Sequence, residues 1–307
     1  MRFVAIFYLL IFAVSGQESK LFLPELFRDF GHVRDISIGN DGTEIYFTAQ
    51  GYLKEYSYIV SSKKINGNWK ELEIVSFSGQ KGIKDLEPFL SPDGLKLFFA
   101  SNRERIGAGA KKDMDIWYVE RESLLQKWSL PINLGETING DKDEFYPSVS
   151  KNGNLYFTSE REDSKGKEDI YVSEIVDGEY LKPKPLNDAV NSDKFEYNAF
   201  VSPNEDYIIF TSYGRKDDLG RGDMYISKKN SLGSWMTAKH MGNNINTKRE
   251  EYCPFVDFEN KMLYFTSVRT ETIDVLEPKR NLKGMLKKIE VLPNGLSRIY
   301  CTPLNKI

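Results

Sequence analysis

Five strand-like segments of this chain end in almost the same letters: YFTA at 46–49, FFAS at 98–101, YFTS at 156–159, IFTS at 209–212 and YFTS at 264–267. Aligning them puts Phe47, Phe99, Phe157, Phe210 and Phe265 in register, at spacings of 52, 58, 53 and 55 residues. Self-similarity at such a period marks a repeat architecture, in which each unit buries its apolar face only when its neighbours stack on it. Every unit opens with a short strand, near Ile36, Phe89, Ser148, Phe200 and Phe255, turns at Gly, Asn or Asp, and runs back through the common segment. That is a hairpin signal. A third strand follows, DIWYV from Asp115, DIYVS from Asp169 and DMYIS from Asp223, and a fourth is expected near Trp69, Trp128, Tyr180 and Trp235. The 17 Tyr and 19 Phe suit strands better than helices.

Four strands per unit make a propeller blade. The expected fold is therefore all-β, a five-bladed β-propeller of four-stranded antiparallel blades, with six blades as the alternative. The last unit stops one strand short. The segment LFLPELF, Leu21 to Phe27, stands where a fourth strand would, and its pairing with the third strand of the last blade would close the ring and leave no open sheet edge.

Residues 1–16 read as a secretory signal peptide: one Arg, an apolar run from Phe3 to Val14, then small Ser15 and Gly16. The run is shorter than the roughly 20 residues that span a bilayer. Residues 17–307 are then one exported propeller domain, periplasmic or extracellular, with no membrane span after cleavage, and a monomer is expected. The 42 basic and 45 acidic side chains, net −3, are well mixed, which argues against nucleic acid as a partner. Cys253 and Cys301 are too few for a disulfide framework, and strand two would separate them, so two free thiols are expected.

The strings EPFLSPDGLKLFFASNR, DIWYV, NLGETING, DIYVSEIVDGEY and GNNINT resemble the TolB-like β-propeller repeat of exported bacterial proteins, over about Leu21 to Leu304. The resemblance implies an isolated exported propeller, without the peptidoglycan-binding or hydrolase domain that accompanies larger relatives of this kind. A fold shared this widely does not name a ligand.

Loop lengths place a site on one face. The turns between strands one and two barely vary, whereas the connections from strand two to strand three do, and variable loops on a constant scaffold are where binding is usually found. On that face an acid stands three residues before each Pro or Ala anchor: Asp85, Glu144, Glu196 and Glu251, with Val33 at the matching place in the first unit. These four are candidate ligand-binding residues, a broken carboxylate ring suited to a cation, a basic peptide or a sugar. The competing reading pairs each acid with an Arg. A second recurring set, Arg103 with Asp115, Arg161 with Asp169 and Arg215 with Asp223, is expected to make structural ion pairs across one ladder.

Other strings carry less. RGD at 221–223 ends in the strand-three Asp, Asp217 and Asp218 lack the spacing of a calcium loop, and Leu282, Met285, Leu286 and Ile289 in the 270–297 insertion suggest a short element packed on the last blade. His32 and His240 are the two histidines, and no nucleophile elbow or His-Glu-x-x-His zinc pair occurs. No catalytic residue, metal or cofactor is expected from the motifs. The function expected is a non-catalytic scaffold for an envelope protein, peptide or glycan, with a glycan-active enzyme using central carboxylates as the alternative.

Overall fold

The structure is a computed structural model that describes residues 19–105, 113–270 and 293–304. The expected leader and the apolar residues of the insertion lie outside the described residues. The described chain is an all-β, five-bladed propeller, as the period requires. First, second and third strands run His32–Ile38, Glu44–Gln50 and Ser57–Ile65 in blade 1, and Asp85–Leu90, Lys96–Ser101 and Asp115–Glu120 in blade 2. They run Glu144–Val149, Leu155–Ser159 and Asp169–Ser173 in blade 3, and Phe195–Val201, Tyr207–Tyr213 and Asp223–Lys228 in blade 4. Blade 5 has Glu251–Asp257, Met262–Ser267 and Arg298–Pro303.

The fourth strands are only two residues long: Glu73–Ile74, Ile132–Asn133, Lys184–Pro185 and Lys239–His240. They lie four or five residues beyond the aromatics expected to carry them. Trp69 and Tyr180 belong instead to short side hairpins. The fourth strand of blade 5 is Lys20–Leu21, paired antiparallel to Cys301 and Tyr300. Closure by the N-terminal segment is therefore present, but shorter than expected. Pro24 fixes φ and lacks an N–H, so Pro24–Phe27 forms a helical turn rather than continuing the strand.

The aligned Phe47, Phe99, Phe157, Phe210 and Phe265 are all fully buried. In blades 3, 4 and 5 each stacks on its cross-strand partner, Tyr171, Tyr225 or Tyr300, with centroids 5.8, 6.1 and 5.9 Å apart. Phe99 faces Trp117, and blade 1 has Val60 in that place. The closing segment continues this core: Phe22 packs edge-on against Tyr264 at 4.9 Å, and Phe27 lies 4.8 Å from Phe47. Both cysteines are free, Cys253 buried and Cys301 half-buried.

Deleting residues up to Leu23 leaves the third strand of blade 5 as an open edge and strips Tyr264 of its aromatic partner. The expected outcome is a melting midpoint lowered by at least several degrees, with a broader transition or aggregation. Thermal melts followed by circular dichroism measure it, and an unchanged midpoint would show that this segment does not close the ring.

Candidate functional site

In each of blades 2 to 5 an acid stands at or next to the start of the first strand, and its register partner near the end of the second strand is Ser: Asp85 and Ser101, Glu144 and Ser159, Glu196 and Ser212, Glu251 and Ser267. All four Ser hydroxyls donate to those carboxylates. Two residues past the Ser, or three in blade 4, an Arg folds back onto the same carboxylate, Arg103 at 2.5 Å, Arg161 at 3.2 Å, Arg215 at 2.9 Å and Arg269 at 3.2 Å. Each guanidinium also donates to a backbone carbonyl of the preceding connection, at Phe77, Ile138, Val190 and Ile245. It lies 4.7 to 5.5 Å from the rings of the second and third strands.

The candidate ring of Asp85, Glu144, Glu196 and Glu251 thus sits inside the blades, with all four residues fully buried. The expected pairing of arginines is exchanged. Arg103, Arg161 and Arg215 take the first-strand acid, not Asp115, Asp169 or Asp223. The third-strand Asp is already engaged: Asp115 by Arg105 and Asn133, Asp169 by the N–H groups of Lys165 and Gly166, and Asp223 by the N–H of Leu219 and by His240. Asp223 of the RGD string is buried, and Asp217 and Asp218 accept the Tyr225 hydroxyl.

What lines the axis was not apparent from the motifs. Every first strand carries a bulge at the same place. There a non-glycine residue adopts left-handed φ: Asp35 at 59°, Glu87 at 61°, Tyr146 at 50°, Asn198 at 51° and Cys253 at 53°. Three of these turn their N–H to a Thr hydroxyl on the neighbouring blade, Asp35 to Thr266, Glu87 to Thr48 and Asn198 to Thr158. Blade 2 has Ala100 at the Thr place, and Tyr146 donates instead to Glu87 Oε2 at 2.7 Å.

The bulges stack side chains in tiers around the axis. Arg34, Leu86, Phe145, Tyr197 and Tyr252, each just before a bulge, form the upper tier and the wall of a cavity of about 430 Å³. Below them lie the five bulge residues. Two residues further along, Phe89, Phe200 and Phe255 meet at 5.5 to 6.3 Å. Blade 2 is not a neighbour of blades 4 and 5, so these contacts cross the axis and plug it. The cavity is therefore blind, open on the face with the variable connections.

Its rim carries Lys54, Glu168, Tyr213 and Glu250, and a smaller hollow of about 140 Å³ adjoins it through Phe145, Thr158 and Glu168. Glu250 accepts the Tyr197 hydroxyl at 3.3 Å. Burial pushes the Glu168 carboxyl up to about 7, with the charges of Glu160, Asp143 and Glu250 adding to the effect. Inside, burial and Asp35 push the Glu87 carboxyl up while Arg34 opposes them. The mouth thus holds more carboxylate than its basic groups offset, among aromatic walls.

No protein-family model matches the sequence, and no curated protein matches it. Solved structures with the same fold include the GH43 endo-arabinanase from Bacillus licheniformis, 12% identical over 89% of this chain and 94% of that one, TM-score 0.52. The GH62 α-L-arabinofuranosidase domain of Coprinopsis cinerea is 9% identical over 89% and 91%, TM-score 0.53. A putative TolB from Agrobacterium tumefaciens is 14% identical over 80% and 72%, TM-score 0.49. At these identities the likeness to the first two is one of fold alone. Among the described residues no helix is long and apolar enough to cross a membrane.

Two outcomes follow from the charges. Glu196→Gln leaves the part-buried Arg215 without its counter-ion and should cost about 1–3 kcal/mol, read as a lower urea midpoint; a neutral or stabilising result would mean that the acid is not Arg215's structural partner. Glu144, like Glu168, is pushed up by burial to about 7, against an ordinary 4.5. Between those values the folded protein binds more protons than the unfolded chain, so stability should fall as pH rises from 4.5 to 7. Urea melts across that range test this, and Glu168→Gln should flatten the slope and raise stability at pH 8.

Proposed function

We propose that this chain is an exported, TolB-like, non-catalytic binding propeller whose blind axial mouth receives a cationic group of a partner protein or peptide. One observation carries the reading: the carboxylates that the blades do not neutralise, Glu168 and Glu250, converge on the mouth, where burial first, and then the charges of Glu160, Asp143 and Glu250, make the Glu168 carboxyl hold its proton to about 7. An ammonium or guanidinium entering there relieves that repulsion and meets the faces of Phe145 and Tyr213, a combination of carboxylate and aromatic walls that favours cations. The volume is in the range of pockets that enclose a small group or one to two side chains rather than a folded domain. The candidate ring from the sequence contributes the rigid frame of the mouth.

A second reading is a glycan-active enzyme. Its support is the pairing of a carboxyl protonated near neutrality, Glu168, with a second carboxylate, Glu250, in an aromatic-lined cavity, the kind of acid and base that glycosidic cleavage uses.

Calorimetric titration with a lysine-rich peptide separates the two. Saturable binding is expected, weakened about tenfold or more by Glu250→Gln and by added salt, with no reducing sugar released from arabinan. Peptide binding that survives Glu250→Gln and Glu168→Gln together would overturn the mouth as the site. Sugar release lost in Glu168→Gln would establish the enzyme instead.

A further inference from the structure

Beneath the mouth, the bulges of blades 5, 1 and 2 present a thiol and two carboxylates to one point. Cys253, Asp35 and Glu87 are all buried, and one ligand atom from each lies within 4.8 Å of the others. A single cation already sits among them. Arg34 donates from Nε to Asp35 Oδ1 at 2.6 Å and from Nη2 to Glu87 Oε1 at 2.8 Å, and its Nη2 is 3.5 Å from Cys253 Sγ. Yet this guanidinium does not use the whole site. Asp35 Oδ2 is buried with no hydrogen-bond partner, and besides Arg34 on Oδ1 the thiol of Cys253, a weak donor, faces the same carboxylate. A buried carboxylate oxygen left without a partner is costly and calls for an explanation.

We propose that Asp35, Glu87 and Cys253 form a binding site for a borderline-soft divalent cation of the zinc class, and that Arg34 is the exchangeable cation that holds the site when the metal is away. The donor set, one thiolate with two carboxylates, suits Zn²⁺ or Co²⁺ better than Mg²⁺ or Ca²⁺, which take oxygen alone. Tetrahedral bonds of the usual length put ligand atoms roughly 3.3–3.8 Å apart, so a contraction of about 1 Å from the present spread suffices. Glu87 offers Oε1, because Oε2 is held by the Tyr146 N–H. Metal entry releases the thiol proton to solvent, and the fourth position remains for water.

Arg34 has somewhere to go. Its side chain is 15% exposed and lies over the Tyr252 ring at 5.1 Å, in the wall of the mouth where Glu168 and Glu250 stand. Swinging upward exchanges one set of carboxylates for another. With no partner in the mouth, Glu168 and Glu250 are there to receive the guanidinium.

Titrating the whole protein with Co²⁺ tests it. One equivalent should develop a thiolate-to-cobalt charge-transfer absorption, bleached by Zn²⁺. The band should vanish in Cys253→Ser, persist in Cys301→Ser, and saturate at about tenfold or more lower Co²⁺ in Arg34→Met, where the competing cation is gone. Zn²⁺ should also raise the melting midpoint of the unmodified protein and leave that of Asp35→Asn unchanged. No band at millimolar Co²⁺, a band that follows Cys301, or an Arg34→Met protein that binds more weakly would each overturn the site. Should Arg34→Met fail to fold, the contrast between the two cysteine variants still decides.

Discussion

The left-handed residue at the centre of each first strand is the constraint on which the rest depends. Holding a non-glycine side chain at that φ costs on the order of 1–3 kcal/mol, and the structure does it five times around one axis. In four of the five the bulge turns its N–H to a neighbouring blade, where a Thr hydroxyl, or for Tyr146 the Glu87 carboxylate, accepts it and offsets part of the cost. The bulge therefore couples blade to blade in the same act that aims a side chain at the axis. Without it the first strands would alternate regularly, and neither the tiered cavity nor the Phe plug would form.

Around that inner ring the arginine clusters hold each blade to the connection that precedes it. One guanidinium meets a carboxylate, a carbonyl and two rings, so its charge is largely withdrawn from water without being left unsatisfied. Blade 1 shows that the parts act as a unit. Val33 replaces the acid, Ala49 its register partner and Gly51 the Arg, while the cross-strand partner of Phe47 becomes Val60. All members are lost together, as expected if a lone survivor would be a buried charge. At the same junction Arg298 stands where blades 2, 3 and 4 have Asp, and donates to the carbonyls of Phe30 and Gly31.

The fold was legible because its signal recurs. A Phe at the same place in five hairpins, with aromatic partners on the third strand in four of them, points to five blades without any knowledge of long-range contacts. The site was not legible, for two reasons. The acids at the strand starts are visible as a repeat, but Ser101 has Asp85 on one side and Asp115 on the other, and which of them Arg103 reaches is decided by what already occupies Asp115. The axial tier carries Asp, Glu, Tyr, Asn and Cys at one structural position, so it has no repeat at all. Its residue types vary while its backbone does not. The recurring Thr of YFTS was the one sequence trace of the bulge, since it is the hydroxyl the bulge needs.

The two-residue closing strand has a kinetic meaning. Lys20 pairs with Cys301, so the first described residues of the chain find their place only after the last blade has formed its third strand. Contacts of such sequence separation raise the barrier to folding more than they raise stability, because the loop they close must be ordered before they are rewarded. The same barrier stands in the way of unfolding if closure is absent from the transition state, since the ring must then be breached at this seam before any blade can leave. A chain fastened in this way resists transient opening for longer than its equilibrium stability alone would suggest, a useful property wherever proteases are abundant and chaperones are few.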